Sequence, residues 1–275
     1  MKVSTILDHI DDGGIALPEF QRGYVWNRDQ VRGLFTSLYR GYPVGSFMTW
    51  STAADSAAAR GEPSGKDGTI KLLLDGQQRA TTLYGVLRGR PPRFFEGNAK
   101  AFDGLHFNVV DQTFEFYLPV KMKNSPEWIS VTDLFASGAG KYLARVGALA
   151  QGDSDKIGEY FQRLTDVTSI RDRDMHVEEV TGADKTIDVV VDIFNRVNSG
   201  GTKLSKGDLA LAKICASWPE ARQEMNAYLK YWSDRGYHFS LDWLLRVVNG
   251  IVTGKAVFSA LADRPVVEIQ QGLKL

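Results

Sequence analysis

One cysteine, Cys215, occurs in 275 residues, which excludes a disulfide framework and any zinc site built on cysteine ligands. Histidine is nearly as scarce: His9, His106, His176 and His238 are scattered with no ligand spacing, so a histidine metal site is not expected. No apolar run approaches the roughly 20 residues of a membrane-spanning helix, and the opening Met1-Lys2-Val3-Ser4-Thr5 lacks the apolar core of a signal peptide. A reducing cytoplasm, with no membrane attachment, is the expected setting. Net charge is missing as well. Thirty-three basic and 33 acidic residues cancel, so nucleic acid would have to be held by a local cluster of cations. Three familiar signatures are also absent: the G-x-x-x-x-G-K-[ST] phosphate loop, a G-x-G-x-x-G after a strand and the G-x-S-x-G elbow.

What is present suits a core. With 43% apolar and 24% charged residues, the chain has the length and composition of one large domain or two small ones. Residues 4–11 pattern as a short helix closed by Gly13-Gly14, and Ile15 to Phe20 as an extended segment that Pro18 confines to an edge or strand end. Asn27 and Gln30 form a capping box ahead of Val31, Leu34, Phe35, Leu38 and Tyr39, one apolar helix face. Val44 to Trp50 and Ile70 to Leu74 read as strands, the stretch 51–68 as a mobile loop, and Ala80, Leu83, Tyr84 and Leu87 as a helix. Two strands are expected at 105–109 and 113–118, mostly helix over 130–168, and helices at 187–197, 205–218, 219–233 and 240–252. The tail after Gly254 carries no strong signal. These elements predict a mixed α/β half followed by a helical half.

Three segments concentrate polar groups. In Leu74-Asp75-Gly76-Gln77-Gln78-Arg79 an apolar strand turns into a helix through one Asp-Gly. The unpaired N–H groups and the dipole at such a helix start suit an anion such as phosphate, which Arg79 would grip as a fork. Asp75 would then bind Mg²⁺ or hold a water, and Gln77 and Gln78 would orient a water or base edge. The competing reading makes Asp75 the helix cap with Arg79 salt-bridged to it. In the second segment, Pro18 to Trp26, Phe20, Gln21, Arg22 and Tyr24 alternate aromatic and polar character. They would stack on bases and meet phosphates, or else form an edge strand with buried rings. The third, Phe194 to Ser205, crowds Asn195, Arg196, Asn198, Ser199, Thr202 and Lys203 around Gly200-Gly201, as a helix end or as an anion-binding nest. Arg88, Arg90 and Arg93 make one local basic patch, either a solvated turn or a place where an acidic backbone docks. Cys215 falls on an apolar helix stripe and reads as filler.

The order P-x-F-Q-R-x-Y-x-W, L-D-G-Q-Q-R, N-R-V-N-S-G-G-T-K-L-S resembles the N-terminal domain of GmrSD-type restriction proteins, a branch of the ParB/sulfiredoxin-like fold, over roughly residues 3–215. The resemblance implies an α+β protein: a small mixed-sheet nucleotide-binding core over 1–125, then a mainly helical region over 126–275 with a return strand at 174–180 and a motif loop at 195–205. It implies NTP binding and hydrolysis coupled to restriction of foreign, often modified, DNA, with Mg²⁺ accompanying the NTP. Catalysis falls to Asp75, Gln77, Gln78 and Arg79, with Asp75 also at the metal. Gly76, Arg79, Asn198, Gly200, Thr202 and Lys203 would hold the nucleotide, and Phe20, Gln21, Arg22, Tyr24, Arg88 and Arg90 the DNA. No cysteine lies in the Asp75–Arg79 loop, which disfavours a sulfiredoxin-like reductase. No His-Asn-His nuclease pattern occurs, so cleavage would need a nuclease domain or subunit beyond this chain. Two alternatives remain: a non-catalytic sensor of modified DNA, and an assembly scaffold, which exposed Trp or Tyr within 219–252 would favour.

Overall fold

The computed structural model describes residues 1–19, 21, 23–53, 59–60, 68–182, 184–185, 187–197, 206–218, 220–255, 261 and 264–274. It is α+β, with sheets in the first half and helices in the rest. Strands β1 (Ile15–Pro18), β2 (Phe47–Ala53), β3 (Ala59–Arg60), β4 (Thr69–Asp75) and β8 (Val177–Val180) form one sheet in the order β3-β1-β4-β2-β8. Strands β5 (Leu105–Asn108), β6 (Thr113–Phe116) and β7 (Trp128–Ser130) form a second, antiparallel, in the order β6-β5-β7. The chain divides into two compact units. The first holds Met1–Ile15, Gly23–Met48 and Asp75–Glu178, the second Ala16–Arg22, Thr49–Leu74 and Glu179–Leu275.

Helix α1 (Val3–Asp11) and α2 (Arg28–Tyr39) belong to the first unit. The capping box expected for α2 is complete: the Asn27 side chain accepts from the Gln30 N–H at 3.0 Å, and the Gln30 carboxamide accepts from the Asn27 N–H at 3.0 Å. Val31, Leu34, Phe35 and Leu38 are buried on one face, as their spacing requires. Tyr39 of the same stripe is only partly covered, because it leans on Phe107 and Phe114 with its hydroxyl donating to Gln112. The next helix, α3 (Gln77–Arg88), carries Ala80, Leu83, Tyr84 and Val86 into the core. Short α4 (Pro119–Met122) leads to β7, then α5 (Val131–Ser137), α6 (Leu143–Leu149) and α7 (Ser154–Thr168).

In the second unit α8 (Ile187–Val197), α9 (Lys206–Ser217), α10 (Ala221–Ser233), α11 (Leu241–Thr253) and α12 (Val266–Lys274) follow in turn. Leu211, Ile214, Cys215, Trp218, Met225, Leu245, Val248 and Ile269 form their core. Cys215 is fully buried within it, and burial pushes its thiol up to about 12, with nearby Glu19 adding to the rise. That is the behaviour of filler.

Three elements differ from the sequence reading. The strand expected at Val44 begins only at Phe47, because the carbonyls of Val44 and Ser46 serve another donor described below. Trp128–Ser130 is a strand, too short for alternation to register. The tail after Gly254 contains α12, whose Ile269 and Leu273 reach the helical core although its opening Val266-Val267 blurs the helical spacing. Residues 61–67 and most of 54–60, within the expected mobile loop, lie outside the described residues, although Ala59–Arg60 pair with β1. Among the described residues no helix is long and apolar enough to cross a membrane.

Replacing Asn27 by Ala removes the acceptor of the capping box, and we expect a loss of about 1 kcal/mol of stability. Urea unfolding monitored by circular dichroism measures it, with Asn27→Ser as the variant expected to stay near wild type.

Candidate functional site

Strand β4 ends at Asp75, and α3 begins at Gln77 with only Gly76 between. Gly76 makes this junction possible. Its φ of +88° is a left-handed conformation that side chains adopt at a cost, and a Cβ there would collide with the Phe47 ring. Gly76 is the N-cap, and no side chain caps the helix. Asp75 therefore does not act as the cap. Its side chain remains 43% exposed, 3.3 Å from a guanidinium nitrogen of Arg79.

Arg79 is 14% exposed, and both terminal nitrogens of its guanidinium are bonded to the protein. Nη1 donates to the Val44 carbonyl, and Nη2 donates to the Ser46 carbonyl at 2.7 Å and to Asp75. The Phe47 ring lies beneath it, 5.3 Å from the guanidinium carbon. Desolvation lowers the Arg79 pKa and the Asp75 charge opposes that shift. Gly45, with φ of +84°, brings the loop this close: a Cβ there would overlap the guanidinium. Sequence reading missed the role of Gly45 and its neighbours. Its one trace is a glycine between a helix end and a strand, and the acceptors themselves are backbone carbonyls that leave no mark in the sequence.

Gln78 is committed in the same way. Its Oε1 accepts from the N–H groups of Val25 at 2.9 Å and Trp26 at 3.2 Å, and its Nε2 donates to the Gly23 carbonyl at 3.2 Å. It thus ties the start of α3 to the second polar segment. Gln77 is 7% exposed. Tyr24 of that segment is also buried, packed edge-on against Phe102 at 5.5 Å and tilted against Phe95, with its hydroxyl 2.8 Å from Thr82 Oγ1. It anchors the segment and presents no ring face to solvent. Beside it opens a cleft of about 470 Å³ lined by Trp26, Asn27, Arg28, Asn98 and Lys100, which brings two cations together.

Within the second unit, Gln21 is buried and donates Nε2 to the Leu74 carbonyl at 2.6 Å. Arg60 donates to the Gln21 carbonyl and Arg222 to that of Glu19, each at 2.6 Å. Phe20 and Arg22 lie outside the described residues, as do Asn198, Gly200, Thr202 and Lys203 of the third segment. Of that segment, Phe194 is buried and Arg196 pairs with Asp192 at 2.7 Å. In the basic patch, Arg88 pairs with Asp8 and with Asp11 at 3.1 Å, and Arg90 with Asp11 at 2.6 Å. Those carboxylates clasp α1 to α3 and offset the patch's charge. Among the described residues no group of three or more His, Cys, Asp or Glu side chains is placed to hold a metal ion by itself.

The model for the GmrSD restriction endonuclease, N-terminal domain, matches residues 3–215, a stretch that contains all three polar segments. The chain belongs to this family. A second similarity is to an uncharacterized protein of Methanocaldococcus jannaschii, 34% identical over an alignment covering 76% of this chain and 42% of that protein. The chain thus spans less than half the length of that relative. For the GmrSD family the geometry is informative: two signature side chains, Gln78 and Arg79, are spent on positioning backbone, and the start of α3 beside the half-exposed Asp75 carboxylate has no side-chain cap.

Two outcomes follow. Arg79→Lys keeps the charge but loses the planar fork that serves Val44 and Ser46, and should cost about 2 kcal/mol in urea unfolding, whereas Asp75→Ala should cost well under half of that. The Tyr24 pKa is raised from 10.0 to about 12 by burial, and Tyr84 likewise rises to about 12, by burial and by the neighbouring Asp11. Unfolded tyrosines ionise first, so stability is full below pH 10 and falls as pH rises from 10 towards 12. Thermal melts of Tyr24→Phe should show a shallower decline across that window.

Proposed function

We propose that this GmrSD-family domain binds and hydrolyses a nucleoside triphosphate at the β4–α3 turn, as the nucleotide-dependent module of a restriction system directed at foreign DNA, including modified DNA. The observation that carries this reading is a helix start left without a side-chain cap beside a half-exposed carboxylate. The N–H groups of the first turn and the helix dipole attract phosphate oxygens. Gly76 itself places no side chain over them, and the Phe47 ring fills the space where its Cβ would stand. Gln78 and Arg79 hold the two flanking backbone segments, Gly23–Trp26 and Val44–Ser46, so that the turn is rigid before ligand arrives.

Asp75 has two tasks here: to meet the metal that travels with the nucleotide, and to hold the attacking water. A single carboxylate suits Mg²⁺, which is commonly bound by one or two carboxylates together with substrate phosphates. When bound, Mg²⁺ would supply charge neutralisation at the phosphates. The Arg79 guanidinium stands 3.3 Å from Asp75 and fixes where the carboxylate sits for either task. Cleavage of DNA belongs to a nuclease domain or subunit outside this chain. Gln78 also suggests how the two events communicate, because it joins the nucleotide turn to the cleft holding Arg28 and Lys100. DNA phosphates entering that cleft would strain the same hydrogen bonds that set the turn. A non-catalytic sensor of modified DNA rests on that cleft alone, and would show DNA binding with no turnover.

Turnover of each of the four NTPs with Mg²⁺ tests the reading. Wild type should hydrolyse at least one, and Asp75→Ala should lose at least about 100-fold in rate, of the order expected when a group that stabilises the transition state is removed. Wild type that neither binds nor hydrolyses any NTP would remove the proposal.

A further inference from the structure

Five large rings lie at the surface of the second unit where a helical core would normally bury them. Tyr231 is 50% exposed, Trp232 43%, Tyr237 57%, Phe239 36% and Trp243 43%. They come from the end of α10, the connection after it and the first turn of α11, while Met225, Leu245 and Val248 of the same two helices are buried. The rings are ordered. Phe239 and Trp243 stack at 4.1 Å between centroids with 12° between planes, and Tyr237 lies within 7° of the Phe239 plane at 6.2 Å. Trp232 stands at 83° to Tyr237, 5.9 Å away, and closes one side. All but Tyr231 line, with Leu244, Ile251, Leu273 and Lys274, a pocket of about 420 Å³, within the size range of small-ligand sites.

Two features indicate what fits. Near-parallel rings open to solvent reward a flat ring that can extend the stack, more than a branched aliphatic side chain, which gains nothing from face overlap. Cations also stand at these rings, although elsewhere in this region Arg246 pairs with Asp242 at 2.7 Å and Arg264 with Glu268 at 3.6 Å. Lys274 stands in the pocket wall, and the Arg235 guanidinium lies 3.5 Å over the Tyr231 ring. A flat ring linked to a phosphate is a nucleotide, and a terrace of several rings suits successive ones. We infer that this terrace binds the unpaired bases of single-stranded nucleic acid. It involves none of the residues of the β4–α3 turn.

The test is a titration of the full chain, without NTP or Mg²⁺, with oligodeoxythymidylate at low salt, following tryptophan emission. Trp50, Trp128 and Trp218 are buried, so quenching reports on Trp232 and Trp243 and on half-buried Trp26 of the Arg28–Lys100 cleft, and the part that the two variants below weaken belongs to the terrace. Saturable quenching that weakens with added salt is expected. Tyr237→Ala and Trp243→Leu should each bind about tenfold more weakly, as loss of one stacking partner predicts, with unchanged melting temperature. Tyr237, the most exposed of the rings, carries the test should Trp243→Leu unfold. Absence of saturable quenching, or wild-type affinity in both variants, overturns the inference. So does thymidine monophosphate binding as tightly as the strand, which would make the pocket a mononucleotide site. A dimer in sedimentation that Trp243→Leu dissolves, with emission indifferent to the oligonucleotide, would assign the face to a second copy.

Discussion

A largely buried guanidinium is costly unless its donors find acceptors, and Arg79 gathers the carbonyls of Val44 and Ser46 and the carboxylate of Asp75 around its two terminal nitrogens. Much of the candidate site depends on this arrangement. It delays the start of β2 to Phe47, requires a residue without a Cβ at position 45, and sets the Phe47 ring where only glycine can occupy position 76. A charge that looks, in sequence, like a ligand hook is the fastener between two backbone segments. Gln78 does the same for Gly23–Trp26 with a neutral side chain. Their joint effect is a helix start with no side-chain cap, fixed beside an accessible acid.

What the sequence made legible were features whose partners are near in the chain. The capping box of Asn27 and Gln30, the buried face of α2 and the buried run Ile70–Leu74 all follow from spacing of a few residues. The α+β architecture followed from the same patterns, and the family from the order of three segments. The commitments of Arg79 and Gln78 were not legible, because their partners are mostly peptide groups dozens of residues away, identical in every residue type. The pairing of Arg88 and Arg90 with Asp8 and Asp11 escaped for a related reason: a basic patch read along the chain carries no sign of acids brought to it by another helix. Burial of Tyr24 needed the rings of Phe95 and Phe102, which come from a loop some 70 residues on.

The division of labour in the proposed site is common where phosphate is handled: backbone amides and a helix dipole would make the binding surface, and charged side chains hold its shape. Under that proposal the overall neutrality of the chain is unsurprising, since the positive potential needed would be local and come from peptide groups. The exposed rings of Trp232–Trp243 are a separate matter. They add nothing to the core that Leu211, Trp218 and Val248 already complete, and their exposure meets the condition set for an assembly scaffold as well as for the stacking ligand inferred above.

The central claim is that phosphate oxygens are received by the first amides of α3. Amide hydrogen exchange of Gln77, Gln78 and Arg79, compared with and without a non-hydrolysable NTP plus Mg²⁺, measures it directly. The account predicts slowed exchange centred on these three amides. Nucleotide binding that leaves their exchange unchanged while protecting another segment would contradict it.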